Sequence, residues 1–321
     1  MAAVRFGLIG AGRWGRVYLR TIGSLADCGR ITHLATSRPD AASRLCPSAV
    51  IVRDWHQLLA SDCDAVIVAT PPMTHAEILD ACLNVGKPCL VEKPLCLDLA
   101  TAERLDERVR TSHVPVLVDH THLFNGAYRA LKRLVQERGE PVRLICSEGM
   151  DLGPLPRDIP ALWDWGPHDL SLCLDLLGEE PQRVRALAGL DSPGGAPERV
   201  SLRLDFPGGA CAWVQAGRLS PWKRRSLSVF TDRALYVWDD VGPSCLTMAT
   251  IDFPRRYDGG WPEAVAGTPV EFAPAPQPME RLIRYFVEGL SGGDRRYFGT
   301  GMALAITRIL TECDAAMKKE T

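Results

Sequence analysis

Charge of one sign is the first thing this sequence lacks. Its 37 Lys and Arg stand against 39 Asp and Glu, a formal net charge of −2. That balance removes the electrostatic reason to expect nucleic acid or an anionic membrane as partner. Long apolar runs are missing too, since none approaches the roughly 20 residues that span a bilayer. The opening MAAVRFGLIGAG has no apolar core followed by a small-residue cleavage site, so no export signal is expected. Cysteine is plentiful, at 11, but lacks a pattern: the number is odd, the positions scatter from Cys28 to Cys313, and no two form CxxC. Reduced, mostly buried thiols in a cytoplasmic protein are expected, with neither a disulfide framework nor a metal site. A content of 46% hydrophobic and 24% charged residues over 321 positions argues against disorder and leaves room for two domains.

The first third alternates strand-like and helix-like segments. Val4 to Ile9 is a short apolar run, as in a buried parallel strand. Arg13 to Ala26 reads as a helix with Trp14, Val17, Tyr18 and Ile22 on its apolar face. Further strands are expected at Ile31–Thr36, Asp64–Ala69, Pro88–Val91 and Pro115–Asp119, the last two as fourth and fifth of the series. Helices are expected at Thr74–Gly86 and after Asp98, which has the residue type of an N-cap. This spacing predicts a parallel sheet with right-handed crossovers. After about residue 140 the pattern changes. Val200, Leu202, Leu204 and Phe206 alternate on one face, and Pro207-Gly208-Gly209 turns the chain into a strand over Ala210–Gln215. Ser226–Thr231 and Ala234–Trp238 form a second expected hairpin, so this region is mainly antiparallel. Pro254 to Pro278 reads as an irregular excursion, and two helices close the chain at about 279–290 and 300–317. Lys223-Arg224-Arg225 reads as a solvated turn. Trp213 and Trp238 default to core packing, with an exposed dimerisation face as the alternative.

Gly10-Ala11-Gly12-Arg13-Trp14-Gly15 is a GxGxxG between a strand and a helix. The first Gly permits the tight turn, the second a close approach of backbone N–H groups to a pyrophosphate, and the third close helix–strand packing. A dinucleotide at this helix N-terminus is expected, with Gly10, Gly12, Arg13, Trp14 and Gly15 around it. The carboxylate that receives the ribose hydroxyls in NAD sites is missing from the end of the second strand, which reads Thr36-Ser37-Arg38. Ser37 can donate to a 2′-phosphate and Arg38 can pair with one, so NADP is preferred over NAD.

Two further stretches carry a resemblance. One is Ala69-Thr70-Pro71-Pro72-Met73-Thr74-His75 with Gly86-Lys87-Pro88-Cys89-Leu90-Val91-Glu92-Lys93-Pro94-Leu95; the other is Trp163-Asp164-Trp165-Gly166-Pro167-His168-Asp169. With the glycine loop, these resemble the Gfo/Idh/MocA oxidoreductase family over nearly the whole chain. The resemblance implies an α/β protein: a Rossmann domain with a parallel sheet, here residues 1–121, and a substrate-binding and oligomerisation domain built on an open, mainly antiparallel sheet, here 122–321, with the last helices free to pack back on the first domain. It also implies hydride transfer between nicotinamide and a hydroxyl or ketone carbon of a sugar, cyclitol or nucleotide-sugar, in a homodimer or homotetramer joined through the C-terminal sheet. Lys93 matches the family's catalytic lysine, and Asp164 and His168 its D-x-x-x-H pair. Thr70, Pro71, His75 and Glu92 match contacts near the nicotinamide half of the cofactor, and Lys93 is a cofactor-binding candidate as well. His120, His122 and Asn125 resemble a family stretch near the substrate, and Asp169 joins them as a substrate-site candidate.

These residue types suit the chemistry. His168 is a reasonable general base for a hydroxyl proton. Lys93 supplies a cation beside a developing alkoxide or repels a proton from His168. Asp164, four residues before His168, shares its face on a helix and can orient it. The family's glycine pair before Asp164 and its second Asp after His168 are absent, the latter position being Ser171. Substrate identity would depend on loops near 150–160 and 254–278. Reduction of an imine or other non-sugar C=X bond, and a cofactor-binding regulator without turnover, are the alternatives.

Overall fold

The computed structural model describes residues 3–153, 159–189, 197–242, 245–251 and 267–318. Parts of both loops expected to shape the substrate lie outside the described residues. The chain divides into two compact units, Met1–Thr121 with Pro276–Thr307, and His122–Ala275 with Arg308–Thr321.

The first unit holds six parallel strands, β1 (Val4–Ile9), β2 (Gly29–Ala35), β3 (Val50–Val52), β4 (Ala65–Val68), β5 (Cys89–Val91) and β6 (Val116–Val118). Their order is β3-β2-β1-β4-β5-β6. Helices α1 (Arg13–Ser24), α2 (Pro39–Leu45), α3 (Trp55–Leu59), α4 (His75–Asn84) and α5 (Leu99–Ser112) connect them. Helix-covered parallel strands have no wet face, so β4, β5 and β6 are apolar at every position and wholly buried. Asp98 caps α5, its carboxylate accepting from the Thr101 N–H. Two expectations need correction. The three-residue β3 adds a strand too short to show in the apolar pattern, which makes Cys89–Val91 the fifth strand and Val116–Val118 the sixth. Trp14 is 36% exposed and belongs to the outside of α1, while Tyr18 and Ile22 are buried.

The second unit begins with α6 (Gly126–Arg138), β7 (Val142–Leu152) and α7 (Ala161–Leu177), then β8 (Arg183–Ala188), β9 (Arg199–Asp205), β10 (Cys211–Gly217), β11 (Leu219–Thr231), β12 (Ala234–Asp239), β13 (Leu246–Thr250) and β14 (Thr268–Pro269). The eight strands run β14-β13-β12-β11-β7-β10-β9-β8, antiparallel except where β10 runs parallel to β7. On β9 the alternation is as expected: Val200, Leu202 and Leu204 are buried and Ser201 and Arg203 half-buried. Helix α8 (Pro278–Leu290) lies in the first unit, and α9 (Gly301–Met317) runs from the first unit's residues into the second's.

Lys223-Arg224-Arg225 is strand, not a solvated turn. All three belong to β11, and Arg225 is buried against Asp169 because the strand's alternation turns it to the helix-covered side. Core packing holds for Trp238, which is fully buried, and not for Trp213, which is 44% exposed with the Arg203 guanidinium over its ring.

Candidate active site

The order of the first sheet reverses between β1 and β4. In open α/β sheets the loops leaving adjacent strands at such a reversal form the ligand crevice. The Gly10 loop follows β1 and the Thr70 turn follows β4. Gly10 has φ +103°, and a Cβ there would meet the Ala69 carbonyl oxygen at 2.4 Å. A Cβ on Gly15 would meet the Gly10 oxygen at 2.0 Å, whereas one on Gly12 would meet no protein atom within 4 Å. Gly10 and Gly15 are thus fixed by packing, and Gly12 alone fronts open space. Gly12 is also the N-cap of α1, whose first turn carries no side-chain cap and no acidic residue. The free N–H groups of that turn fit a pyrophosphate. Ser37 and Arg38, just past β2, are both exposed.

Lys93 follows β5 in the same unit and is 7% exposed. Around it stand buried Glu92, Asp119, His120 and Tyr18. The Tyr18 hydroxyl donates to Asp119 Oδ2 at 2.5 Å, and the Thr121 hydroxyl donates to Asp119 Oδ1. Burial, helped by the Lys93 charge, pushes His120 down to about 4, so its ring is neutral at physiological pH. Both His120 ring nitrogens are buried with no hydrogen-bond partner among the described residues. Buried polar atoms are ordinarily paired in folded proteins, and the His120 nitrogens are an exception to that rule.

His75, expected as a contact near the nicotinamide half, has both ring nitrogens engaged by the chain's own backbone. It is fully buried, with Nδ1 2.9 Å from the Pro94 carbonyl oxygen and Nε2 2.8 Å from that of Thr70. Both nitrogens are spent on the backbone, so the ring braces the Thr70 turn against the segment after Lys93. Thr70 is half-buried and Pro71 exposed, which leaves that turn's outer side open.

In the second unit, α7 carries Asp164 and His168 one turn apart, as expected. The His168 ring meets that of His122 edge-on at 4.7 Å between centroids, and His122 lies 6.1 Å from the Trp238 ring. Asp164 Oδ2 accepts from Arg218 at 3.1 Å. The same guanidinium, 2% exposed, also donates to Glu198 Oε2 at 3.2 Å and to the Ile159 carbonyl at 3.0 Å.

Two substrate-site candidates are corrected here. Asp169 is fully buried and accepts from Ser147 and Arg225, because it lies one residue past His168 and the helix turns it inward. Asn125 is the N-cap of α6, accepting from the Ala127 and Tyr128 N–H groups and donating to Asp240. Neither presents a polar group outward.

Sequence reasoning missed Tyr18, Asp119, Arg218 and Glu198. Asp119 carried a signal, a carboxylate ending an apolar strand. Tyr18 passed as one more apolar residue of its helix. Arg218 and Glu198 carried none, since their partners lie 20 and 54 residues apart in the chain.

A phosphate-ready glycine loop at a sheet reversal, with a buried lysine two strands on, defines a nicotinamide-dinucleotide oxidoreductase. Residues 4–120 match the oxidoreductase family GFO_IDH_MocA, NAD-binding Rossmann fold, and residues 156–237 match the GFO/IDH/MocA C-terminal domain. The chain belongs to this Gfo/Idh/MocA family. It is 30% identical over 263 residues to inositol 2-dehydrogenase of Rhizobium meliloti (strain 1021), covering 78% of this chain and 79% of that one. It is 27% identical over 231 residues to UDP-N-acetylglucosamine 3-dehydrogenase of Acidithiobacillus ferrooxidans, covering 72% of each. The crystal structure of a protein from Magnetospirillum magnetotacticum MS-1, assigned as an oxidoreductase, superposes with a TM-score of 0.85 at 36% identity, over 97% of this chain and 100% of that one. Among the described residues, no helix is long and apolar enough to cross a membrane.

Proposed function

We propose that this oxidoreductase oxidises a ring hydroxyl of a cyclitol, sugar or nucleotide-sugar, or reduces the matching ketone, with NADP preferred over NAD. The observation that carries the reading is Lys93, a lysine buried at the carboxyl end of β5 among Glu92, Asp119, Tyr18 and His120. Burying an ammonium is costly, and its place among acids at the end of a strand that borders the ligand crevice suits a charge that serves catalysis. The relatives named above as dehydrogenases of inositol and of UDP-N-acetylglucosamine support the substrate class.

Residues 1–121 serve the cofactor and 122–321 the substrate. The nicotinamide of the bound cofactor supplies the hydride acceptor or donor. The Gly10 loop, with Gly12, Arg13, Trp14 and Gly15, holds the pyrophosphate, and Thr70, Pro71 and Glu92 flank the nicotinamide half. Ser37 and Arg38 meet an adenosine 2′-phosphate where no carboxylate stands to repel it. Lys93 donates to the substrate oxygen and stabilises negative charge developing on it. His168 takes the hydroxyl proton in oxidation and returns it in reduction. Asp164, held by Arg218, orients His168 or a neighbouring substrate hydroxyl. His120 and His122 contact the substrate. The open face of the second sheet, with Trp213, is the surface for a homodimer or homotetramer, which light scattering would read directly; a monomer at working concentration would refute it.

The test is a panel of inositols, hexoses and UDP-sugars with NADP+ and NAD+, followed by reduced-cofactor absorbance. Turnover of at least one ring polyol is expected, faster with NADP+. Arg38→Ala should narrow the cofactor preference by about tenfold. No oxidation of any polyol, with imine substrates reduced instead, would overturn the proposal.

A further inference from the structure

The phosphate assigned to Ser37 and Arg38 is more than those two residues can balance. A phosphomonoester carries a charge of about −1.5 to −2 at pH 7. Ser37 is neutral and Arg38 brings a single positive charge. Asp40 already occupies the first turn of α2, so that short helix does not supply the balance from its N-terminus. A second cation has to come from a neighbouring strand.

The backbone points to β3. Strands β1, β2 and β3 are adjacent and parallel, so their carboxyl ends lie side by side. The Gly10 N–H donates to the Ala35 carbonyl at 2.9 Å, and the Thr36 N–H donates to the Val52 carbonyl at 3.0 Å. These bonds lead from the glycine loop, across the end of β2, to the end of β3. Val52 is the register partner of Ala35, and Arg53 follows it directly. Arg53 therefore leaves its strand one strand spacing, about 4.8 Å, from Thr36. The Thr36 hydroxyl accepts from the Arg38 N–H at 3.2 Å, which keeps the start of the next turn at the same place. Arg53 is exposed, and its guanidinium has no ion-pair or hydrogen-bond partner among the described residues. The acid beside it in the chain is engaged elsewhere: Asp54 accepts from the His56 N–H at 2.9 Å and lies 2.7 Å from the His56 Nδ1.

We propose that Arg53 is a second specificity-determining residue of the cofactor site: with Arg38 it brackets the 2′-phosphate of NADP, one guanidinium from the end of each of two adjacent strands. A guanidinium can pair with a phosphate or lie on an aromatic face. With Arg53 on the phosphate, Arg38 can stack on the adenine and the phosphate still keeps a cation. NAD has a neutral hydroxyl at the same position and gives Arg53 no charge to pair with, so this residue serves NADP alone. The inference deepens the cofactor preference given under the proposed function and rests on it. Arg53 carried no signal in the sequence, because the strand that brings it beside β2 is three residues long.

Fluorescence titration of the whole purified chain with NADPH and with NADH tests it. The readout is binding, so it needs no substrate, and Arg53 is exposed, so its substitution removes no packing. Wild type should bind NADPH more tightly than NADH. Arg53→Ala should raise the NADPH Kd about tenfold and leave the NADH Kd within about twofold. Arg53→Glu should raise the NADPH Kd further and make NADH the tighter ligand, because a carboxylate there repels the phosphate. Added salt should weaken NADPH binding less in Arg53→Ala than in wild type, since one screened contact has gone. An NADPH Kd unaltered in Arg53→Ala would overturn the proposal. So would an equal rise for both cofactors, which is what a merely structural role would give. A wild type that binds NADH as tightly as NADPH would sink the cofactor preference of the proposed function and this inference with it. A preference for NADPH that survives Arg53→Ala would sink this inference alone.

Discussion

A Cβ placed on Gly15 would sit 2.0 Å from the Gly10 carbonyl oxygen, and one on Gly12 would touch no protein atom within 4 Å. Identical residues three positions apart therefore fail in opposite ways. Gly15→Ala must push α1 off β1 and should cost about 1–3 kcal/mol of stability, read by urea unfolding. Gly12→Ala has a φ of −72° that any residue adopts, and should change stability by less than about 0.5 kcal/mol. It should instead raise the Kd for NADPH about tenfold or more, read by fluorescence titration. Equal stability loss in both variants, or unaltered affinity in Gly12→Ala, would contradict the division. At this scale the sequence was readable where chemistry goes with a motif, as at the glycine loop. It was misleading where a polar residue serves the interior. His75, Asn125 and Asp169 sit in motif stretches, yet each spends its polar atoms on its own chain. Residue type and spacing do not say what lies on the other side of a side chain.

Helix α7 shows what one element must do to carry a site. Asp164 and His168 share a face only because the segment is helical from Ala161, and Asp164 is then held by Arg218 from the turn between β10 and β11. Arg218 and Glu198 are both buried, so the pair is costly to break. Arg218→Met should destabilise by about 3–5 kcal/mol, because it strands Glu198 without its partner. Adding Glu198→Leu should recover most of that loss in the same urea titration. A double variant as unstable as the single one would show that Arg218 acts through something other than this charge. Elements were legible in proportion to their periodicity. The apolar runs of β4 and β5 and the alternation of β9 were readable from composition alone. β3 was not, with three half-exposed or exposed residues, and neither was β7, whose register with β10 and β11 joins segments dozens of residues apart.

Across the whole molecule, near-neutral charge leaves anion binding to local devices. The described structure offers uncapped N–H groups at the Gly10 loop and exposed Ser37 and Arg38 side chains past β2, and the proposed function assigns anion binding to them. The fold class and family were legible because the glycine loop, the Glu-Lys-Pro strand and the Trp-Asp-x-x-Pro-His-Asp helix each join a local pattern to a chemical need. The buried cluster of Tyr18, Glu92 and Asp119 was not legible, since its members come from α1, the end of β5 and the end of β6. The account turns on Lys93 acting in turnover without anchoring the cofactor. The most direct measurement sets NADPH affinity beside turnover in Lys93→Ala. Affinity within about threefold of wild type and turnover lower by about 10³-fold or more are expected. Turnover retained in Lys93→Ala, with cofactor binding intact, would contradict the central claim.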